Sequence, residues 1–270
     1  MTQTKLENLF NPQVVSNMVS ASLPSKLKFL ELSRYDNTLE GVAGNTITLP
    51  QYKYIGAAED VAEGVEVVPV VLTSTSQSHT VKKAVRAITL TDESVLSGDG
   101  SPITQSIEQI EQSISDRINQ DSVTALLTAT KEFDAQAPIS YNVICDAIDL
   151  FAEEDDEAKV LFLHTSQKST IRNSSEYMVG VEDAFVKSAV AEVAGCQVVY
   201  SNDVPHDKVA GTYTNFIVKE GALAMYLKRK LQIAEQRNEL AGSTHYVANQ
   251  HYVVALENDS KVVKIKTTKA

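Results

Sequence analysis

Five histidines, two cysteines and a run of carboxylates are the residues of this 270-residue chain whose types suit chemistry. His164 directly follows the apolar run Val160-Leu-Phe-Leu163, and catalytic groups often stand where a buried strand ends. It is the candidate for acid–base work in an α/β enzyme, and the same position also suits a cap on the helix that follows. His245 and His251 are six positions apart in a strand-like segment. That is about 20 Å at 3.3 Å per residue, too far to share a metal ion. Glu153-Glu-Asp-Asp-Glu157 is a consecutive run of carboxylates. Two of them would suffice for proton transfer or a divalent cation, but no glycine-centred calcium loop surrounds them, and a solvated helix end fits better. Cys145 and Cys196 form no Cys-x-x-Cys, so neither a disulfide framework nor a cysteine zinc site is expected, and a reducing compartment is the simpler setting. Gly98-Asp-Gly100 is a lone Gly-x-Gly, and neither a phosphate-binding Gly-x-x-x-x-Gly-Lys loop nor a Gly-x-Ser-x-Gly elbow occurs. The residues assign no catalytic group, cofactor or metal.

The elements that would position these groups follow from composition and periodicity. Apolar residues make up 43% and charged residues 22%, values of a folded chain. The net charge of −11 argues against gripping nucleic-acid phosphate, and with no Trp and 6% aromatics the composition gives little material for a ligand pocket. No signal peptide is read near the start, and no eighteen apolar residues run together, so no membrane span is expected.

Residues 1–45 read as an arm: Leu6 to Met18 suits a short helix interrupted by Pro12, and Lys26 to Leu32 a second piece, packed either on the same subunit or on a neighbour. Residues 46–90 read as strand. Thr46 to Ile55 and Thr80 to Leu90 alternate, and Val65 to Leu72 is valine-rich. Pro50 and Pro69 confine these runs to edge strands or a free ribbon. Such a ribbon is marginal alone, so it must lie on its own domain or on a neighbouring subunit.

Ser101-Pro102 opens a long helix reaching to about Ala129. Ile103, Ile107, Ile110, Ile114 and Ile118 trace one narrow stripe on it, leaving Glu108, Glu111, Gln112, Ser115 and Asp116 on polar faces. Beyond Pro138 a helix over Ile139 to Glu153, strands at Val160–Leu163, Gln197–Tyr200 and Thr214–Lys219, and helices to Arg172 and around Phe185 to Val193 make an α/β region. Strands near Leu231–Ala234, Val247–Glu257 and Lys261–Thr267 complete the chain. Charge is segregated: Asp92 to Glu157 holds sixteen acidic and two basic residues, whereas Lys219 to Ala270 holds nine basic and five acidic. That pattern suits head-to-tail self-association. Lys228-Arg-Lys230 reads as a surface or interface patch.

The order of arm, ribbon, isoleucine-striped helix, α/β region and return strands resembles the major capsid proteins of tailed bacteriophages with the HK97 fold. The likeness is carried by Leu9-Phe-Asn-Pro-Gln-Val-Val15 (arm), Gly44-Asn-Thr-Ile-Thr-Leu-Pro50 with Gly56-Ala-Ala-Glu-Asp-Val-Ala-Glu-Gly64 (the extended E-loop) and Val85 to Glu93 (the strand leading to the spine helix). Val160 to Ser166, Glu235-Gln-Arg-Asn238, Tyr252-Val-Val-Ala-Leu256 and Val262-Val-Lys-Ile265 continue it through the A and P domains.

The resemblance implies an α+β HK97-like fold divided into 1–45 arm, 46–90 ribbon, 91–137 P domain with the spine helix, 138–229 A domain and 230–270 return strands of the P domain. It implies a structural, non-enzymatic protein forming hexamers and pentamers of an icosahedral head around double-stranded DNA, found in the virion and, during assembly, the bacterial cytoplasm. A portal and a separate scaffolding protein are the implied partners; the start almost at the arm implies either a separate scaffolding protein or a processed chain, and Met1 favours the former. Tyr52, Lys53, Tyr54, Glu59, Asp60, Glu63 and Arg237 are the implied inter-subunit contacts. Some relatives crosslink a Lys to an Asn, and Lys53 lies in the corresponding loop with no partner to name. Two rivals stand beside this reading. An encapsulin-type cellular shell should begin with a stable inner helix, and an α/β enzyme using His164 should be a small particle with an apolar pocket there.

Overall fold

The computed structural model describes residues 26–30, 33–41, 44–52, 55–58, 60–61, 66–67, 69–97, 102–152, 157–172 and 192–269. The expected arm helix at Leu6–Met18, the Ser101 cap, the helix around Phe185 and the carboxylates 153–156 lie outside these residues. The strands in chain order are β1 (Arg34–Asp36), β2 (Thr46–Tyr52), β3 (Ser74–Thr80), β4 (Lys82–Thr91), β5 (Glu132–Asp134), β6 (Lys159–His164), β7 (Glu192–Val193), β8 (Cys196–Ser201), β9 (His206–Asp207), β10 (Thr212–Lys219), β11 (Leu223–Asn238), β12 (Ser243–Leu256) and β13 (Val262–Thr268). The helices are α1 (Asp92–Ser97), α2 (Pro102–Leu127), α3 (Tyr141–Asp149) and α4 (Lys168–Arg172). No described helix is long and apolar enough to cross a membrane.

The described residues form three sheets: a four-stranded one ordered β1-β11-β12-β4, a seven-stranded one ordered β5-β13-β10-β6-β8-β7 with β9 beside β10, and the two-stranded ribbon β2-β3. The helix α2 lies on the four-stranded sheet. Ile107, Ile110, Ile114, Ile118 and Leu126 pack there with Met225, Ile233, Tyr246, Ala248 and Tyr252. Strands β6 and β10 are apolar on both faces, as strands buried on both sides must be, whereas β13 alternates, its Lys264 and Lys266 meeting Glu132. Val160, Phe162, Phe216 and Val218 join the α2 core, while Leu161, Leu163, Ile217, Val263 and Ile265 face a second core with Ile144 and Ala147 of α3. Ser140 caps α3, its hydroxyl accepting from the Val143 amide at 3.4 Å.

Four expectations are corrected. The partner of β2 is the polar run Ser74–Thr80, from Thr46 opposite Thr80 to Tyr52 opposite Ser74, and not the valine-rich segment. Valine enrichment there reflects an apolar surface rather than ladder pairing. The polar faces of α2 are less free than the narrow stripe suggested, because Glu111, Ser115, Asn119, Asp121 and Ser122 are buried as well. Ser115 and Ser122 donate to the carbonyls one turn back, at 2.9 and 2.8 Å, while Glu111 takes Lys26 at 2.9 Å. Asp121 accepts from Lys82 at 3.0 Å, Arg117 at 3.1 Å and the Tyr252 hydroxyl at 2.8 Å. Lys26–Leu32 contains a 3-10 turn, Lys28–Leu30, whose Phe29 stacks on Phe162 with ring centroids 4.6 Å apart. Finally, the return strands separate: β11 and β12 lie under α2, whereas β13 pairs with β10 and β5 in the other sheet.

Candidate inter-subunit surfaces

The ribbon leaves the four-stranded sheet on the face away from α2. Its root is fixed by the Val81 amide donating to the Asn45 carbonyl at 2.8 Å. Leu39, Ile47 and Val81 pack there on Ala224, Tyr226, Val253 and Ala255. Beyond β2 the chain presents Ile55, Val61, Val67, Val70, Val71 and Leu72 to solvent, Val71 with 79% of its surface exposed. Such an apolar run outside the body marks an interaction surface. Asp60 and Glu66 are exposed on the same loop. Tyr52 is the last residue of β2, whereas Lys53, Tyr54, Glu59 and Glu63 lie outside the described residues.

Arg237 stands elsewhere, at the far end of the β11–β12 hairpin beside Thr244. The ribbon root meets β12 near Tyr252, opposite Lys82, and Ser243 pairs with Thr91 at the other end of β4. Nine strand residues therefore separate the two places, about 30 Å. Both guanidinium termini of Arg237 donate to Asp92, one to Oδ2 at 2.7 Å, and its Nε lies 3.3 Å from Glu239. The Asp92 amide donates to the Gly242 carbonyl at 2.9 Å, and Gly242 takes the left-handed conformation, φ +54°, that closes the hairpin. The Arg237 fork holds the Asp92 carboxyl well below its ordinary range. Within one subunit Arg237 thus pins α1 to a hairpin tip whose Leu240 is fully exposed.

His164 ends β6 and its Nδ1 accepts from the Ser166 amide at 3.2 Å, the capping arrangement. Its ring lies 5.0 Å from His206 and 5.5 Å from Tyr213, and His206 stacks on Tyr213 at 4.2 Å. Burial, then His206 and Lys208, lower its pKa. This is packing and capping chemistry at a strand end. Among the described residues no group of three or more His, Cys, Asp or Glu could hold a metal ion.

A further cluster brings together residues that sequence reasoning left scattered. Across three neighbouring strands, Arg229 of β11 opposes His251 of β12, which opposes Lys83 of β4. Shifts of register on either side of Arg229 re-aim it within β11. With Lys228, Asn45, Gly41 and Val81 these residues line an open cleft of about 640 Å³ at the ribbon root. The only advance signal was the Lys228-Arg-Lys230 patch. The union of these residues depends on strand register.

One domain-sized body carrying a detached ribbon, a long helix on one sheet and an α/β layer on another define the HK97-like class of shell proteins. The capsid chain of Cyanophage P-SCSP1u superposes with a TM-score of 0.73 at 10% identity, covering 90% of this chain and 88% of that one. The encapsulin from Synechococcus elongatus superposes with a TM-score of 0.65 at 10% identity, over 100% of this chain and 92% of that one. Fold alone does not separate the two, but sequence does. The major capsid protein of Staphylococcus phage phiMR11 is 32% identical over 267 residues, 97% of this chain and 95% of that protein. No protein-family model matches the chain. The chain belongs to the phage major capsid protein family, and its role is structural, that of a capsid shell subunit.

Proposed function

We propose that copies of this chain assemble as hexamers and pentamers of an icosahedral head that encloses double-stranded DNA, working with a separate scaffolding protein and a portal, and that the chain performs no catalysis. The observation carrying this reading is the ribbon. Beyond a root held by Ile47 and Val81 its strands and apolar loop reach out of the body, and contact with another copy is what would cover them. In this reading residues 1–45 are the arm, the ribbon β2–β3 with its loop is the clasp, α2 with the four-stranded sheet is the P domain, and the seven-stranded sheet with α3 is the A domain. Tyr52, Lys53, Tyr54, Glu59, Asp60 and Glu63 belong to the clasp, and Arg237 sets the hairpin tip presented to neighbours. Net negative charge suits enclosing DNA without trapping it on a basic lining. The head would form in the bacterial cytoplasm and persist in the virion.

Negative-stain microscopy of the purified chain, alone and co-expressed with a scaffolding protein, tests this. Closed shells or free capsomers are expected. Small oligomers in both conditions, together with an activity lost in His164→Ala, would replace the shell reading with the enzyme.

A further inference from the structure

Among the described residues no carboxylate lines the cleft with the cationic row at the ribbon root. Lys83 and Arg229 have no ion pair with any described residue, and Lys228 donates only to the Asn45 carboxamide, at 3.2 Å. Lys230 differs, since it has Glu40 at 3.6 Å. Like charges directly opposite one another on adjacent strands are unfavourable. Here the strands set Arg229 and Lys83 on either side of His251, whose Nδ1 is buried without a hydrogen-bond partner. Burial first, then Arg229, Lys83 and Lys228, push the His251 pKa down, so the isolated cleft holds its cations around a neutral ring.

The loop has the opposite imbalance. Between Ile55 and Thr73 the chain carries Glu59, Asp60, Glu63 and Glu66 and no Lys or Arg. Asp60 and Glu66 are exposed and make no ion pair with a described residue. Neither described carboxylate of the loop, Asp60 or Glu66, lines the cleft of its own subunit. The ribbon starts at the cleft, at Asn45 and Val81, and β2 then runs seven residues, about 23 Å, before the loop begins. In a shell of identical copies, head-to-tail contacts can set the loop of one copy on the cleft of the next.

We infer that the cleft lined by Lys83, Lys228, Arg229 and His251 is the receiving site for the carboxylates of the loop 55–73 of a second copy. This deepens the shell reading and rests on it: it names the partner surface of the clasp. Exposed valines on the loop supply apolar area, and the charge match sets which copy and which register they meet. Rim charges of this kind act on encounter and register and weaken as salt rises.

The test is charge exchange in the full chain under conditions where the wild type assembles. Lys83→Glu/Arg229→Glu is expected to keep the wild-type circular dichroism and thermal midpoint while raising the protein concentration needed for shells by about tenfold or more, the equivalent of about 1.4 kcal/mol per contact. Asp60→Lys/Glu66→Lys should do the same. The chain carrying all four changes should recover assembly to within about threefold of wild type, because the pair is reversed and not removed. Normal assembly of Lys83→Glu/Arg229→Glu overturns this inference and leaves the shell reading standing. Loss in both doubles with no recovery in the quadruple shows that the cleft and the loop meet different partners, and also overturns it. If the wild type forms neither shells nor capsomers, the shell reading falls and takes the inference with it.

Discussion

The body and the ribbon are built by opposite rules. Around α2 the buried apolar positions pack on the four-stranded sheet, and two of the buried polar groups of that helix are answered, Glu111 by Lys26 and Asp121 by Lys82, Arg117 and Tyr252, while the buried Asn119 Oδ1 has no hydrogen-bond partner among the described residues. In the ribbon the pairing strand Ser74–Thr80 is polar, and the apolar residues face solvent on the loop between the strands. A chain that spends its apolar residues on its own core folds alone, and one that displays them needs a neighbour. One protein does both, in segments that adjoin at Asn45 and Val81.

That contrast can be broken at its strong end first. Ile114→Ala removes a 2% exposed side chain from under the four-stranded sheet and should lower unfolding free energy by about 2–5 kcal/mol in denaturant titration. Asp121→Ala strands the Tyr252 hydroxyl and two cations and should cost about 3 kcal/mol by the same measurement. On the other side, Val70→Asp/Val71→Asp should leave stability within about 0.5 kcal/mol of wild type and still abolish shells seen by microscopy. Deleting 56–64 should behave likewise. Shells of normal stability from either loop variant would erase the distinction between the two regions.

A smaller effect is read by pH, and it runs through both regions. His164 and His251 in the body and His79 in the ribbon have pKa values lowered chiefly by burial. The unfolded chain therefore binds more protons than the folded one as pH falls through the ordinary histidine range, so thermal stability should decline from pH 7 toward pH 5. His251→Gln should flatten part of that decline, and a profile unchanged by the substitution would show that the ring is free to protonate in place. The smallest effect concerns Arg237. Arg237→Gln should speed amide exchange of Asp92 and of the hairpin tip without a measurable change in the global midpoint, since the fork is surface-exposed.

Much of the body was legible in the residues themselves. The isoleucine spacing from 103 to 118 gave α2 and its buried face, and the apolar runs at Val160–Leu163 and Thr214–Lys219 gave strands, because core-facing periodicity is local. The ribbon was legible as a ribbon through Pro50 and its alternating residues. Its second strand was misread because a polar strand and a polar turn look alike along the chain, and only pairing distinguishes them. Arg237 was legible as a residue of interest, while its fork to Asp92 was not, since 145 positions separate the two.

The sequence by itself determined the class of this protein: the order of ribbon, isoleucine-striped helix and α/β layer, the acidic block and the basic tail, and a likeness strong enough to give the family. Tertiary structure alone decided which charges meet. Arg229, His251 and Lys83 come from three strands scattered over the chain and become one cleft only when β11 and β4 flank β12 in register, with the shifts in β11 re-aiming Arg229. Periodicity records which face of an element is buried, but long-range register is fixed by the summed packing of whole sheets, and no local stretch of residues carries it.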